Sequence, residues 1–127
     1  MVGIARAEHL HKEHNRVNEW MIEGNASAID YLKRNVEKRF DAAVLVEGAR
    51  SVVVCAISYL SPYSRGYAEG CRTKIASSAV ARDYHITIKE MLIEVAERLK
   101  EHYPTLRFRA ITDSAPIAEK SYAVRAG

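Results

Sequence analysis

Ser51 to Tyr59 reads Ser-Val-Val-Val-Cys-Ala-Ile-Ser-Tyr, the clearest strand signal in the chain. A β-branched run without polar interruption is expected of a strand covered on both faces. Downstream, Ile88, Met91, Leu92, Val95, Ala96, Leu99 and Tyr103 recur at helical spacing over 83–103, one apolar stripe on a long helix. Pro104 prevents that helix from extending, and 107–112 reads as a second strand. A strand, a long crossover helix and a strand in this order predict parallel, right-handed pairing. Val2 to Ala7 is a further short strand. The expected fold is α/β, with α+β as the alternative: a small central sheet of three or more strands with helices on both faces.

The remaining segments are helical or looped. A helix is expected from about His9 to Glu23, with Leu10, Val17, Trp20 and Met21 on one face and Gly24 just past its end. Ser27 is placed to cap a short helix through Asn35, with Ile29, Leu32 and Val36 turned inward. Asp41 is placed to cap another turn ending at Gly48. Glu94 and Arg98 form an i,i+4 pair on the long helix. Ser61 to Thr73 is rich in Gly, Pro, Ser and Tyr and reads as a loop. A last helix spans 114–126, capped by Ser114 with Pro116 in its first turn.

The size, 127 residues, suits one domain over 1–127, and 48% apolar residues suffice for one core. No apolar run approaches the ~20 residues of a membrane span. The start, Met1-Val2-Gly3-Ile4-Ala5-Arg6, lacks the apolar region of a signal peptide, so a cytoplasmic protein without membrane contact is expected. Cys55 sits in an apolar run and reads as a buried thiol, and Cys71 lies in the loop. Two cysteines cannot supply a four-thiolate cluster, and a structural disulfide is not expected in the cytosol. A net charge of +3 permits contact with nucleic acid without demonstrating it. Lys33, Arg34, Lys38 and Arg39 cluster in sequence, as do Arg65, Arg72, Lys74 and Arg82; each group is either a solvated surface or a phosphate contact.

Asp113 is the sharpest candidate for chemistry. It stands at the end of an expected strand and the start of an expected helix, where α/β proteins often place functional groups. It is either a capping acid or a proton donor; a donor would need burial against an apolar wall to hold its proton. Arg39 is, from the residues alone, either a surface charge or one of its cluster's phosphate contacts. Tyr84 and His85 open the long helix, whose free amides can hold a polar ligand group. Of His9, His11 and His14, only His11 and His14 share a helical face, and no carboxylate or cysteine pattern supports them, so no metal site is expected. The chain contains no P-loop, no Gly-x-Gly-x-x-Gly and no Gly-x-Ser-x-Gly.

Five stretches in order, Gly3-Ile4-Ala5-Arg6-Ala7, Glu37-Lys38-Arg39, Gly48-Ala49-Arg50-Ser51-Val52, Arg82-Asp83-Tyr84-His85 and Thr112-Asp113-Ser114-Ala115-Pro116 followed by Arg125-Ala126-Gly127, resemble the N-terminal part of the epoxyqueuosine reductase family. The resemblance covers most of the chain. Val36 stands where that family commonly has proline, Ala81 where it has glycine, and Ser77 and Ser78 where it tends to carry larger residues. It implies a cobalamin-binding-type domain, with cofactor contacts from Arg39, Ser77, Tyr84 and His85 and with Asp113 as proton donor. It further implies reduction of epoxyqueuosine to queuosine in tRNA, with electrons arriving through two [4Fe-4S] clusters in a C-terminal ferredoxin-like domain.

Nothing of that second domain follows Gly127. The chain is therefore expected to be a cut piece, to lack turnover alone, and to form a dimer if an apolar face is left uncovered. Other classes stay open: a non-catalytic corrinoid- or partner-binding module, a corrinoid reductase acting on a small molecule, and a tRNA-binding module without cofactor.

Overall fold

A computed structural model describes residues 1–26, 29–60, 70, 75–79 and 82–127. Apart from Gly70, the Ser61–Thr73 loop, with Cys71, Arg65 and Arg72, lies outside the described residues, as do Lys74 and the expected cap Ser27. Two compact units are present, Met1–Ala56 together with Pro116–Gly127, and Ile57–Ala115.

In the first unit, β1 (Val2–Arg6) and β2 (Ser51–Cys55) pair antiparallel, with Gly3 opposite Val54 and Ala5 opposite Val52. The pairing continues one step at each end, through Ala7 N–H to the Arg50 carbonyl at 3.0 Å and Ala56 N–H to the Met1 carbonyl at 2.9 Å. Between the strands run α1 (His11–Ile22), α2 (Asp30–Lys33), α3 (Val36–Phe40) and α4 (Ala42–Leu45). The last helix of the chain, α6 (Glu119–Ala126), packs on both strands. Ala5, Leu10, Phe40, Ala42 and Tyr122 form the buried core, with Val17, Val52, Val54 and Ile117 against it. Gly3 is required at its position: a Cβ there would collide with the carbonyl and side chain of Ala126.

Tyr122 ties this unit together. It is fully buried, and its hydroxyl accepts from Ala42 N–H at 3.0 Å and donates to the Glu8 carbonyl at 3.1 Å. One side chain thus joins α6 to the start of α4 and to the segment after β1. Burial pushes the phenol above its ordinary pKa; the Ala42 hydrogen bond pulls the other way.

The expectation of a sheet of three or more strands is not met. Among the described residues the only sheet has two antiparallel strands, so the fold is a small α+β arrangement without a parallel β-α-β unit. Exposure does alternate over Leu106–Ala110 as a strand's would, yet no ladder includes 107–112. Alternation records which side chains share a face; it carries no information about a partner edge.

The covering of β2 on both faces is likewise corrected. Val52 and Val54 meet the core, while Val53 is 46% exposed and Ile4 opposite it 67% exposed. Cys55, expected buried, is half-buried.

The helices match more closely. Leu10 precedes α1 and is fully buried, and Gly24 adopts φ +83° where that helix stops. Asp41 caps α4 by accepting from Ala43 N–H at 2.8 Å. The helix expected through Asn35 is α2, which ends at Lys33 because Arg34 is extended; Asn35 is left-handed at φ 57°, a conformation asparagine tolerates, and α3 begins after it. The last helix starts at Glu119, not Ser114. Pro116 keeps Ala115 out of the helical region, and Ala118 N–H bonds the Arg39 carbonyl at 2.8 Å.

The second unit is built on α5 (Tyr84–His102), whose cap Asp83 accepts from His85 N–H at 2.9 Å. Ala96 is buried, whereas Met91, Val95, Leu99 and Tyr103 of the expected stripe are exposed. Arg98 donates to Glu94 at 2.7 Å, as the spacing predicts. Lys100 lies 4.9 Å over the Phe108 ring, holding the segment after α5 to the helix.

Candidate functional site

The second unit gathers Asp113, Tyr84 and His85. Asp113 closes the segment after α5 in a left-handed conformation, φ 48°, which acids adopt more readily than most residues. Its Oδ2 accepts a hydrogen bond from the Tyr84 hydroxyl at 2.8 Å. Tyr84 stacks on His85, ring centroids 4.1 Å apart at 26°. His85 is held in turn by Asp83: its Nδ1 lies 2.8 Å from the same Oδ1 that accepts from its backbone N–H. The His85 ring bond first, and its backbone N–H second, hold the Asp83 carboxyl below its ordinary value.

The helix start is braced from outside as well. Arg82 forms a two-pronged pair with Glu90, both bonds at 2.9 Å, a geometry that fixes orientation more than it adds stability at an exposed site. Beside it, a surface depression of about 310 Å³ is lined by His85, Ile86, Lys89, Glu90, Ile93 and Ser114. That volume is at the small end for ligand pockets. Two isoleucines form its apolar side, and Ser114 brings it next in sequence to the acid. Asp113 itself is exposed.

The structure thus brings three of the five residues singled out from sequence into one cluster. Ser77 opens a 3-10 turn, Ser77–Ala79, and its side chain lies outside the described residues. Arg39 belongs to the other unit, half-buried on α3. The Asp113–Tyr84 bond joins residues far apart in sequence, so no local spacing announces it. Arg82–Glu90, one residue beyond two helical turns, was equally invisible.

The first unit holds a second polar cluster. His9 Nδ1 lies 2.7 Å from His11 Nδ1, and His9 Nε2 lies 2.9 Å from His14 Nδ1. His14 Nε2 is 3.9 Å from a Glu37 carboxylate oxygen. The carboxylate missing from the local pattern is supplied by α3.

The family described as "Epoxyqueuosine reductase QueG, DUF1730" matches residues 39–114. That stretch contains Arg39, Ser77, Tyr84, His85 and Asp113. Epoxyqueuosine reductase from Cyclobacterium marinum is 35% identical over 125 residues, covering 98% of this chain and 40% of the relative. The enzyme of the same name from Leadbetterella byssophila is 32% identical, again over 98% of this chain and 40% of the relative. That of Pseudomonas aeruginosa is 33% identical over 129 residues, 99% of this chain and 36% of the relative. The chain therefore spans about 40% of the length of the first of these relatives. No solved structure matches it significantly. With the family matched over more than half of its residues, this chain belongs to the epoxyqueuosine reductase QueG DUF1730 family.

Proposed function

We propose that this chain is the corrinoid-facing part of an epoxyqueuosine reductase, an enzyme that reduces epoxyqueuosine to queuosine in tRNA. The observation that carries the reading is Asp113: an acid hydrogen-bonded to Tyr84, beside an apolar-walled depression, within the stretch matched by the family.

The residues present fit a cobalamin in the following sense. About 310 Å³ is too small to enclose a corrinoid, which is larger than the drug-sized ligands of ordinary pockets, so this chain offers one wall of a site. Ile86 and Ile93 suit contact with an apolar ring, and Lys89, Glu90, His85 and Ser114 suit its amide rim. Arg39, in the first unit, carries a planar fork of the kind that grips amides or phosphate. When bound, cobalamin would supply the low-valent cobalt for the reductive chemistry.

The protein's own part is proton delivery. Asp113 would give a proton to the epoxide oxygen of the substrate. The Tyr84 hydroxyl, already donating to Asp113, would stabilise the carboxylate left behind. His85 stacks on Tyr84 and, anchored by Asp83, keeps that phenol in place. Electrons would come through [4Fe-4S] clusters held elsewhere, since two cysteines do not make a four-thiolate set. On this reading residues 1–127 alone bind but do not turn over.

A visible-absorbance titration of the chain with cobalamin tests the reading. A saturable spectral shift is expected, weakened by Arg39→Ala and retained in Asp113→Asn. In a full-length relative carrying the equivalent changes, the Asn variant should lose conversion of epoxyqueuosine tRNA while still binding cofactor. A full-length Asn variant that turns over normally would remove Asp113 from the mechanism.

A further inference from the structure

We propose that His9, His14 and Glu37 form a binding site for a divalent transition metal of the zinc type, with His11 as its outer support. All three lie outside the stretch matched by the family, residues 39–114, and the proton-delivery reading does not use them.

One ligand atom from each of the three residues lies within 4.8 Å of the others. They come from separate segments: His9 from the connection after β1, His14 from α1 and Glu37 from α3. A tetrahedral zinc site with bonds of about 2.0–2.1 Å needs ligand edges of roughly 3.3 Å. His14 turns Nδ1 to His9 Nε2 at 2.9 Å and Nε2 to Glu37 at 3.9 Å, so closing the set on one His14 nitrogen takes a swing of the Glu37 carboxylate, which is largely solvated and able to move.

The imidazoles are better fixed. His14 is 8% exposed and stacks on Phe40, ring centroids 5.1 Å apart at 14°. A histidine that presents one nitrogen to a metal usually has its other nitrogen held by a second partner. His9 has that arrangement: Nε2 faces His14, and Nδ1 lies 2.7 Å from His11.

The donor chemistry selects the class of ion. Two imidazoles and one carboxylate suit zinc and its neighbours, not calcium or magnesium, which prefer all-oxygen sets. Three protein ligands leave a fourth position for water. Without a cation, the same nitrogens can only form a chain in which each neutral ring donates to one neighbour and accepts from the next. Protonating the rings would place like charges at hydrogen-bond distance. A cation removes that conflict and ties the β1–α1 connection to α1 and α3.

Calorimetric titration of the tag-free chain with zinc chloride tests the site, with circular dichroism confirming that each variant is folded. One equivalent of zinc is expected, and its affinity should weaken in acid, because protons compete for the ligands. His9→Ala and Glu37→Gln should each weaken zinc by at least about tenfold, the lower end of what even outer-shell changes cost. His14→Ala is less informative, because its ring is part of the packing. His102→Ala, at the far end of α5, should leave zinc affinity unchanged. Absence of zinc binding, an affinity unmoved by either His9→Ala or Glu37→Gln, or an equal loss in His102→Ala would overturn the site. Cobalamin titrated separately keeps this outcome distinct from the corrinoid reading.

Discussion

The two units hold their residues by different means. In the first, contacts distant in sequence do the holding: Tyr122 reaches Glu8 and Ala42, Leu10 N–H reaches the Phe40 carbonyl at 2.8 Å, and α6 lies on both strands. In the second, the named polar contacts are mostly local to the ends of α5, and its apolar stripe is largely solvated, with Val95 49% and Leu99 40% exposed. The candidate acid Asp113 belongs to the loosely covered unit. Functional groups are commonly carried on the less tightly packed parts of a fold, where a ligand can supply what packing does not. The core of the first unit provides rigidity; the second offers surface.

The sharpest way to break this contrast is to cut the first unit's core. Leu10→Ala removes a fully buried side chain and is expected to cost about 2–5 kcal/mol. Denaturant unfolding followed by amide exchange should show protection of β1, β2 and α6 falling together. Equal protection to the native chain would mean that Leu10 is not part of a cooperative core.

Gly3→Ala comes next, at about 1–3 kcal/mol, because the added methyl meets the Ala126 backbone and cannot be absorbed by a flexible side chain. Exchange at the end of α6 should report the displacement directly. An unchanged melting temperature would show that α6 is not seated on β1 as described.

Tyr122→Phe leaves the ring in place but removes both hydroxyl contacts, so Ala42 N–H loses its partner. The expected cost is about 1–3 kcal/mol. Its pH dependence has a defined sign. The folded phenol titrates above the ordinary 10.0, so the folded chain keeps a proton that the unfolded chain releases. The stabilisation is fully present below pH 10 and is lost as the pH rises above it. The difference in stability between the native chain and Tyr122→Phe should therefore shrink with rising alkalinity; a constant difference would contradict the burial of this hydroxyl.

The smallest effect is expected in the second unit. Asp83→Ala removes the cap of α5 and the anchor of His85 and should lower stability only slightly, with the loss confined to exchange near Tyr84 and His85. Its carboxyl titrates below the ordinary 3.8, so the cap persists above that value and is lost as the pH falls below it. Unfolding of the whole chain by this one change would erase the distinction between the two units.

Much of the molecule was legible in its residue order. The helical spacing of 83–103, its stop at Pro104, the cap Asp41, the terminator Gly24 and the Glu94–Arg98 pair are all local relations, set within a few residues by backbone geometry and hydrogen-bonding groups. The family resemblance was legible for the same reason: it is carried by short ordered stretches. Three features were not legible. The 107–112 segment alternates as a strand does but has no ladder among the described residues. The His9–His14–Glu37 cluster needs α3 to bring its carboxylate to α1. The Asp113–Tyr84 bond needs the segment after α5 to return to the start of that helix. By itself, the sequence determined the first and the long helix, the stop at Pro104, the cap at Asp41 and the periodicity of the apolar faces. Only the tertiary structure decided which edges pair, which apolar faces are covered and which polar groups meet, because those depend on contacts between residues that spacing along the chain does not relate.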